Sequence, residues 1–190
     1  MLDRLTQPQE EELEDSFSKN AGSVSVSRNA STAFKIHYTP ERDDFRHLTT
    51  FILDSNAALA AAKSCGVSLT VYLTSAMLLA LQRIQDEQTP DKRRQKPIRV
   101  VVPVNLRRLF PSRTLRNFVH VIMPEIDPRM GDYEFSEILT SVKHQLGLLV
   151  TKKNLCAMFT PNVNAERSPL LRVMPLFLKN IAMKLVYDTV

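Results

Sequence analysis

Apolar and polar positions change period several times along the chain, and the changes mark its elements. From Phe45 to Leu53, "FRHLTTFIL" is β-branched and aromatic and predicts a strand. The run stops at Asp54-Ser55, a pair suited to capping the helix "NAALAAAKSC", and Gly66, able to take positive φ, closes that helix. A second helix, "SLTVYLTSAMLLALQRIQDEQ", starts from Ser68 as its cap. It is apolar nearly all round through Leu81, which predicts burial on more than one side.

Pro97 resets the chain. "IRVVVPV" predicts a strand and "NFVHVIMPEI" another, with Pro124 marking a bulge or a sheet edge near its end. "YEFSEILTSVKHQLGLLV" then places Phe135, Ile138, Leu139, Val142, Leu146, Leu149 and Val150 at helical spacing, the cleanest amphipathic pattern present. Ser168-Pro169 offers a cap with proline in the first turn, opening "LLRVMPLFLKNIAMKLVYD", in which Pro175 marks a kink or a break. The order is strand, two helices, strand, loop, strand and two helices, an α/β class. Three strands form a thin sheet for so much apolar helix, so the pattern implies that a partner or further chain covers it.

Residues 1–33 stand apart. An acidic opening followed by "SKNAGSVSVSRNAST" shows no sustained periodicity and predicts a polar linker, leaving 34–190 as the folded part. The 190 residues, 44% of them hydrophobic, suffice for a real core. The longest apolar run, near Leu73 to Leu81, is far short of a bilayer span, and the N-terminus is acidic where a signal peptide is basic, so a cytoplasmic location is expected. Cys65 and Cys156 are then expected to be reduced thiols.

Charge narrows the chemistry little. The net +5 permits nucleic acid, acidic membranes or a phosphorylated cofactor without selecting among them. Its two concentrations are the run Lys92, Arg93, Arg94, Lys96 and Arg99, and the loop "VPVNLRRLFPSRTLRNF" with Arg107, Arg108, Arg113 and Arg116. No aromatics interleave with the first to stack bases, and no helix-turn-helix or zinc spacing is present, so nucleic acid is not expected. Isolated glycines exclude the dinucleotide and triphosphate loops, and scattered His and Cys give no metal spacing. There is no GxSxG elbow. His120 alternates with Phe118 and Ile122, which fits a base aimed into a cleft or, the reading we prefer, a histidine in or beside the core; His144 lies on the polar side of its helix.

The Arg-rich segment "PVNLRRLFPSRTLRNF" (Pro103 to Phe118) resembles bacterial alcohol acetyltransferase-like proteins of the coenzyme A-dependent acyltransferase superfamily, which includes chloramphenicol acetyltransferase and condensation domains. "EDSF" (Glu14 to Phe17), "AAAKSCGVSLTVYLTSAM", "EFSEIL" and "LLRVMPLFLKN" follow the same order. The resemblance implies part of the C-terminal half of a chloramphenicol acetyltransferase-like two-layer sandwich, a mixed sheet flanked by helices. It also implies a coenzyme A thioester such as acetyl-CoA as donor, an alcohol or amine as acceptor, and no metal. Arg107, Arg113 and Arg116 become candidates for the cofactor phosphates and Asn117 for holding the turn, while the loop braces a joint or lines a channel.

One departure decides the mechanism. The superfamily's HxxxD motif, whose histidine is the general base, is missing here; His37 with Glu41 in "HYTPE" is its nearest imitation. The expectation is therefore a fragment inactive alone, whose partner is a complementary N-terminal half. A noncatalytic interaction scaffold and a basic module for nucleic acid or other anions are the alternatives.

Overall fold

The computed structural model describes residues 7–24, 32–39, 42, 45, 48–169 and 173–189. The chain divides into two compact units, one made of 1–31, 103–122 and 147–190 and the other of 32–102 and 123–146.

The second unit begins with the capped helices that the sequence predicts. In α1 to α2 numbering of the N-terminal turns, α1 is Glu10–Leu13 and α2 is Ser16–Asn20, so these are α3 (Ser55–Ser64) and α4 (Leu69–Gln88). The Asp54 carboxylate accepts from the Ala57 amide at 2.7 Å, and the Ser68 hydroxyl accepts from Val71 at 3.3 Å, each satisfying a donor the helix cannot. Between them Gly66 takes φ 67°, where a side chain would be strained. Val71, Thr74, Ser75, Leu78, Gln82 and Gln85 form the buried stripe of α4. Its other side stays open, Leu73 at 47% and Met77 at 57% exposure, so burial is one-sided among the described residues, not all-round as the composition suggests.

Strand β1 (Ile98–Arg99) pairs antiparallel with β4 (Glu125–Ile126), placing Ile98 opposite Ile126 and Arg99 opposite Glu125. Alternation does the rest. The isoleucines enter the core with Val71, Leu78 and the Ile138, Leu139 and Val142 face of α5 (Phe135–Leu149), while Arg99 and Glu125 form an ion pair at 2.6 Å.

Glutamines close what this short ladder leaves open. Gln82 bonds both the amide and the carbonyl of Tyr133, at 3.2 Å each, and Gln85 does the same to Lys96 at 3.1 and 3.0 Å. Gln88 clamps His37 at 3.0 and 2.9 Å, and Gln145 clamps Glu125 at 2.9 and 2.7 Å. A carboxamide carries the donor and acceptor of a peptide group, so each side chain serves as one rung of an absent strand.

The first unit holds the other ladder, β2 (Val102–Asn105) with β3 (Val119–Ile122), joined by the Arg-rich loop. Its core is aromatic. Phe17 of α2 meets Phe118 and Phe159 edge-on at 4.9 and 5.4 Å, and Phe110 packs on Phe118 and Phe159 at 6.3 and 5.8 Å. Phe159 lies on α6 (Lys152–Arg167), whose cap is Thr151. At the expected helix start Ser168 is non-helical and Pro169 helical, and 170–172 lie outside the described residues; the chain breaks at Pro175 and resumes as α7 (Leu176–Thr189).

Three expectations are corrected. The described residues of 45–53 form no strand and lie largely in solvent, with Leu48 at 87% and Ile52 at 93% exposure, so nothing buries the apolar face a strand there would need covered. A single mixed sheet is replaced by two separate two-stranded ladders, since the strands after Pro97 and Asn117 each split in two. Within the expected linker, residues 10–13 and 16–20 are helical, and Ser16 is buried. No single described helix is long and apolar enough to cross a membrane.

Candidate functional site

The Arg-rich loop leaves β2 through Asn105, whose side-chain oxygen accepts from the Arg107 amide at 3.1 Å and starts a single 3-10 turn over Leu106–Arg108. That turn aims the Arg107 side chain back across the loop. Its guanidinium donates to the Thr114 carbonyl at 2.8 Å and the Arg116 carbonyl at 2.7 Å, a fork that joins the two ends of the connection. Asn117, expected to hold the turn, is exposed and makes no side-chain hydrogen bond among the described residues; Asn105 and Arg107 do that work instead.

The loop is then fastened to the N-terminal segment. Thr114 donates its hydroxyl to the Glu14 carbonyl at 2.7 Å, Leu115 donates its amide to the Glu12 carbonyl at 2.8 Å, and Ser16 and Ser112 share a bond of 2.5 Å. Asp15 caps α2, and the hydrogen bonds from Ser18 together with the Arg116 charge hold its carboxyl below the usual aspartate range. Glu14 is lowered likewise, chiefly by its bond to Lys19.

The three candidate arginines therefore differ. Arg107 is committed to its own loop. Arg113 makes an exposed ion pair with Glu11 at 3.2 Å, which is weak and exchangeable, and Arg116 is exposed beside Asp15. These two can meet an anion without dismantling the fold. In the other unit, Lys92 is tied to Asp86 and Asp132 and Arg99 to Glu125, leaving Arg93, Arg94 and Lys96 as the exposed cations of that run.

Beside the loop lies a groove of about 830 Å³, within the range of small-molecule sites. Phe110 forms its floor. One wall is Lys19, Asn20 and the chain from Gly22 to Val24; the other is Lys152, Lys153, Cys156 and Ala157 at the start of α6. The walls are joined through Thr160, which accepts from the Gly22 amide at 3.0 Å and donates to the Cys156 carbonyl at 2.6 Å. The Cys156 thiol donates to the Asn20 carbonyl at 3.1 Å. A Cβ at Gly22 would lie 3.2 Å from that sulfur, so a larger residue there would require the thiol to shift.

Sequence reasoning missed this groove because it missed α6. "KKNLCAMFTPNVNAER" is polar on average and carries Pro161 internally, which argues against a helix; the available signal was Thr151 as a cap ahead of Leu155, Phe159 and Val163.

His120 is buried with Phe118 and Ile122, its ring 6.3 Å from Phe159, and belongs to the aromatic core; His37 and His144 are exposed, and His47 lies outside the described residues. No group of three or more His, Cys, Asp or Glu side chains among the described residues could hold a metal ion. No family model matches the chain, and neither a curated protein nor a solved structure matches it.

Proposed function

We propose that this chain is one lobe of a coenzyme A-dependent acyltransferase, part of a chloramphenicol acetyltransferase-like sandwich, in which an acyl group such as acetyl passes to an alcohol or amine. The reading is supported by the resemblance of Pro103 to Phe118 and, above all, by one observation: Arg107 turns that segment into a rigid joint. A braced loop displays Arg113 and Arg116 at fixed positions, where their guanidiniums suit phosphate oxygens; Arg107 does not suit that role. Coenzyme A supplies the activated thioester. The imidazole that takes the acceptor's proton comes from an HxxxD segment that this sequence does not contain.

Calorimetric titration of coenzyme A into the protein tests the lobe itself. Binding is expected to weaken about tenfold in the double variant Arg113→Ala/Arg116→Ala, with the fold unchanged. Thiol release from acetyl-coenzyme A in the presence of a short alcohol is expected only when an HxxxD-bearing lobe is added. Failure to bind coenzyme A, alone or with that lobe, ends the reading.

A further inference from the structure

The groove in the first unit has a composition that selects its occupant. Its floor and sides are apolar, from the Phe110 ring, Val24 and Ala157, while its rim carries the ammonium groups of Lys19, Lys152 and Lys153 and no carboxylate. Lys19 already faces Glu14 at 2.6 Å. Lys152 stands 5.4 Å from the centre of the Phe110 ring, and neither it nor Lys153 forms an ion pair among the described residues.

The placement of these two lysines is costly for the isolated chain. They are the first two residues of a sixteen-residue helix with no acid in its first turn, so they put positive charge at the end where the helix is already positive. An anion beside them relieves that unfavourable placement. Charge complementarity thus asks for a negative head, and the apolar floor asks for a hydrocarbon body.

The form of the head follows from the donors. Lysines are compact point charges, whereas recognition of phosphate by fork geometry uses arginine, and no arginine lines the groove among the described residues. With Lys19 held by Glu14, the two remaining ammonium groups suit a carboxylate whose two oxygens can reach both. We infer that the groove binds a single-chain fatty carboxylate, its head between Lys152 and Lys153 and its chain along Phe110, Val24 and Ala157. This stands independently of the acyltransferase reading, whose anion contacts lie at Arg113 and Arg116.

The test is calorimetric titration of the full chain with decanoate, below its micelle concentration, beside decyltrimethylammonium. Decanoate is expected to bind at least about tenfold more tightly than the cation and to slow hydrogen exchange at residues 19–24 and 152–160. Lys152→Glu/Lys153→Glu is expected to remove that preference. These residues are exposed, so folding should survive, and unchanged exchange at Phe118 and Ile122, in the core of the same unit, would verify it. Arg113→Ala/Arg116→Ala should leave decanoate binding intact, which keeps failure here distinct from failure of coenzyme A binding. Equal binding of both detergents, binding indifferent to the lysine variant, or attachment only to phosphatidylglycerol vesicles would each overturn the inference.

Discussion

The two units solve the same problem with different materials. Each has a two-stranded ladder too small to satisfy and cover its own backbone. The first unit answers with rings and hydroxyls brought from far along the chain, Phe17 and Ser16 docking on Phe118, Phe159 and Ser112. The second uses an aliphatic core and carboxamides, with Gln82, Gln85 and Gln88 on one helix reaching Tyr133, Lys96 and His37. Rings supply buried area and orientation; glutamines supply the missing rungs. A thin sheet can thus be completed from either side of its chemistry.

The sharpest way to break the comparison is to remove a ring. Phe118→Ala, at a fully buried position that touches two other phenylalanines, is expected to destabilise the first unit by about 3–5 kcal/mol. Hydrogen exchange should rise at residues 103–122 and far less at 71–85. The corresponding cut in the second unit is Gln85→Leu, which keeps apolar bulk but strands the Lys96 amide and carbonyl, for a loss of roughly 2–3 kcal/mol in urea titration. A loss equal to that of an exposed Gln→Leu change would mean the clamp contributes nothing.

A smaller effect of opposite sign is expected at Ser75, whose buried hydroxyl meets no hydrogen-bond partner among the described residues. Ser75→Ala should raise stability by about 1 kcal/mol, read as a higher urea midpoint.

The smallest effect is a pH response confined to one side. Asp15 and Glu14 are held below their ordinary values, so the folded form binds protons less tightly than the unfolded one. Their contribution is complete above about pH 5, where both groups are ionised in the unfolded chain as well, and disappears as pH falls through the lowered values. The protection factor of the Ser18 amide, taken against its intrinsic rate at each pH, should therefore fall in acid, while the Lys96 amide, held by a group that does not titrate, keeps its protection.

Legibility in the sequence followed how local the determinant was. Asp54, Ser68 and Gly66 act within a turn of their own positions, and the α3 and α4 boundaries could be read from them directly. The run 45–53 has the composition of a strand, but a strand requires an edge, and composition does not carry its partner. Arg107 could be seen as one of several loop arginines; its commitment to two carbonyls depends on the 3-10 turn set by Asn105. The groove was hidden for a further reason. Its walls are 136 residues apart in sequence, Asn20 against Cys156, so no spacing rule reaches across it.

The position of α2 has a practical consequence. Ser16 to Asn20 furnishes both a groove wall and a share of the ring stack, so a protease cut just ahead of Val24 would open the ligand cleft and unseat the hydrophobic centre in one event. Limited digestion should consequently give either an intact product or fragments throughout this unit, with no trimmed survivor that keeps its grip on decanoate.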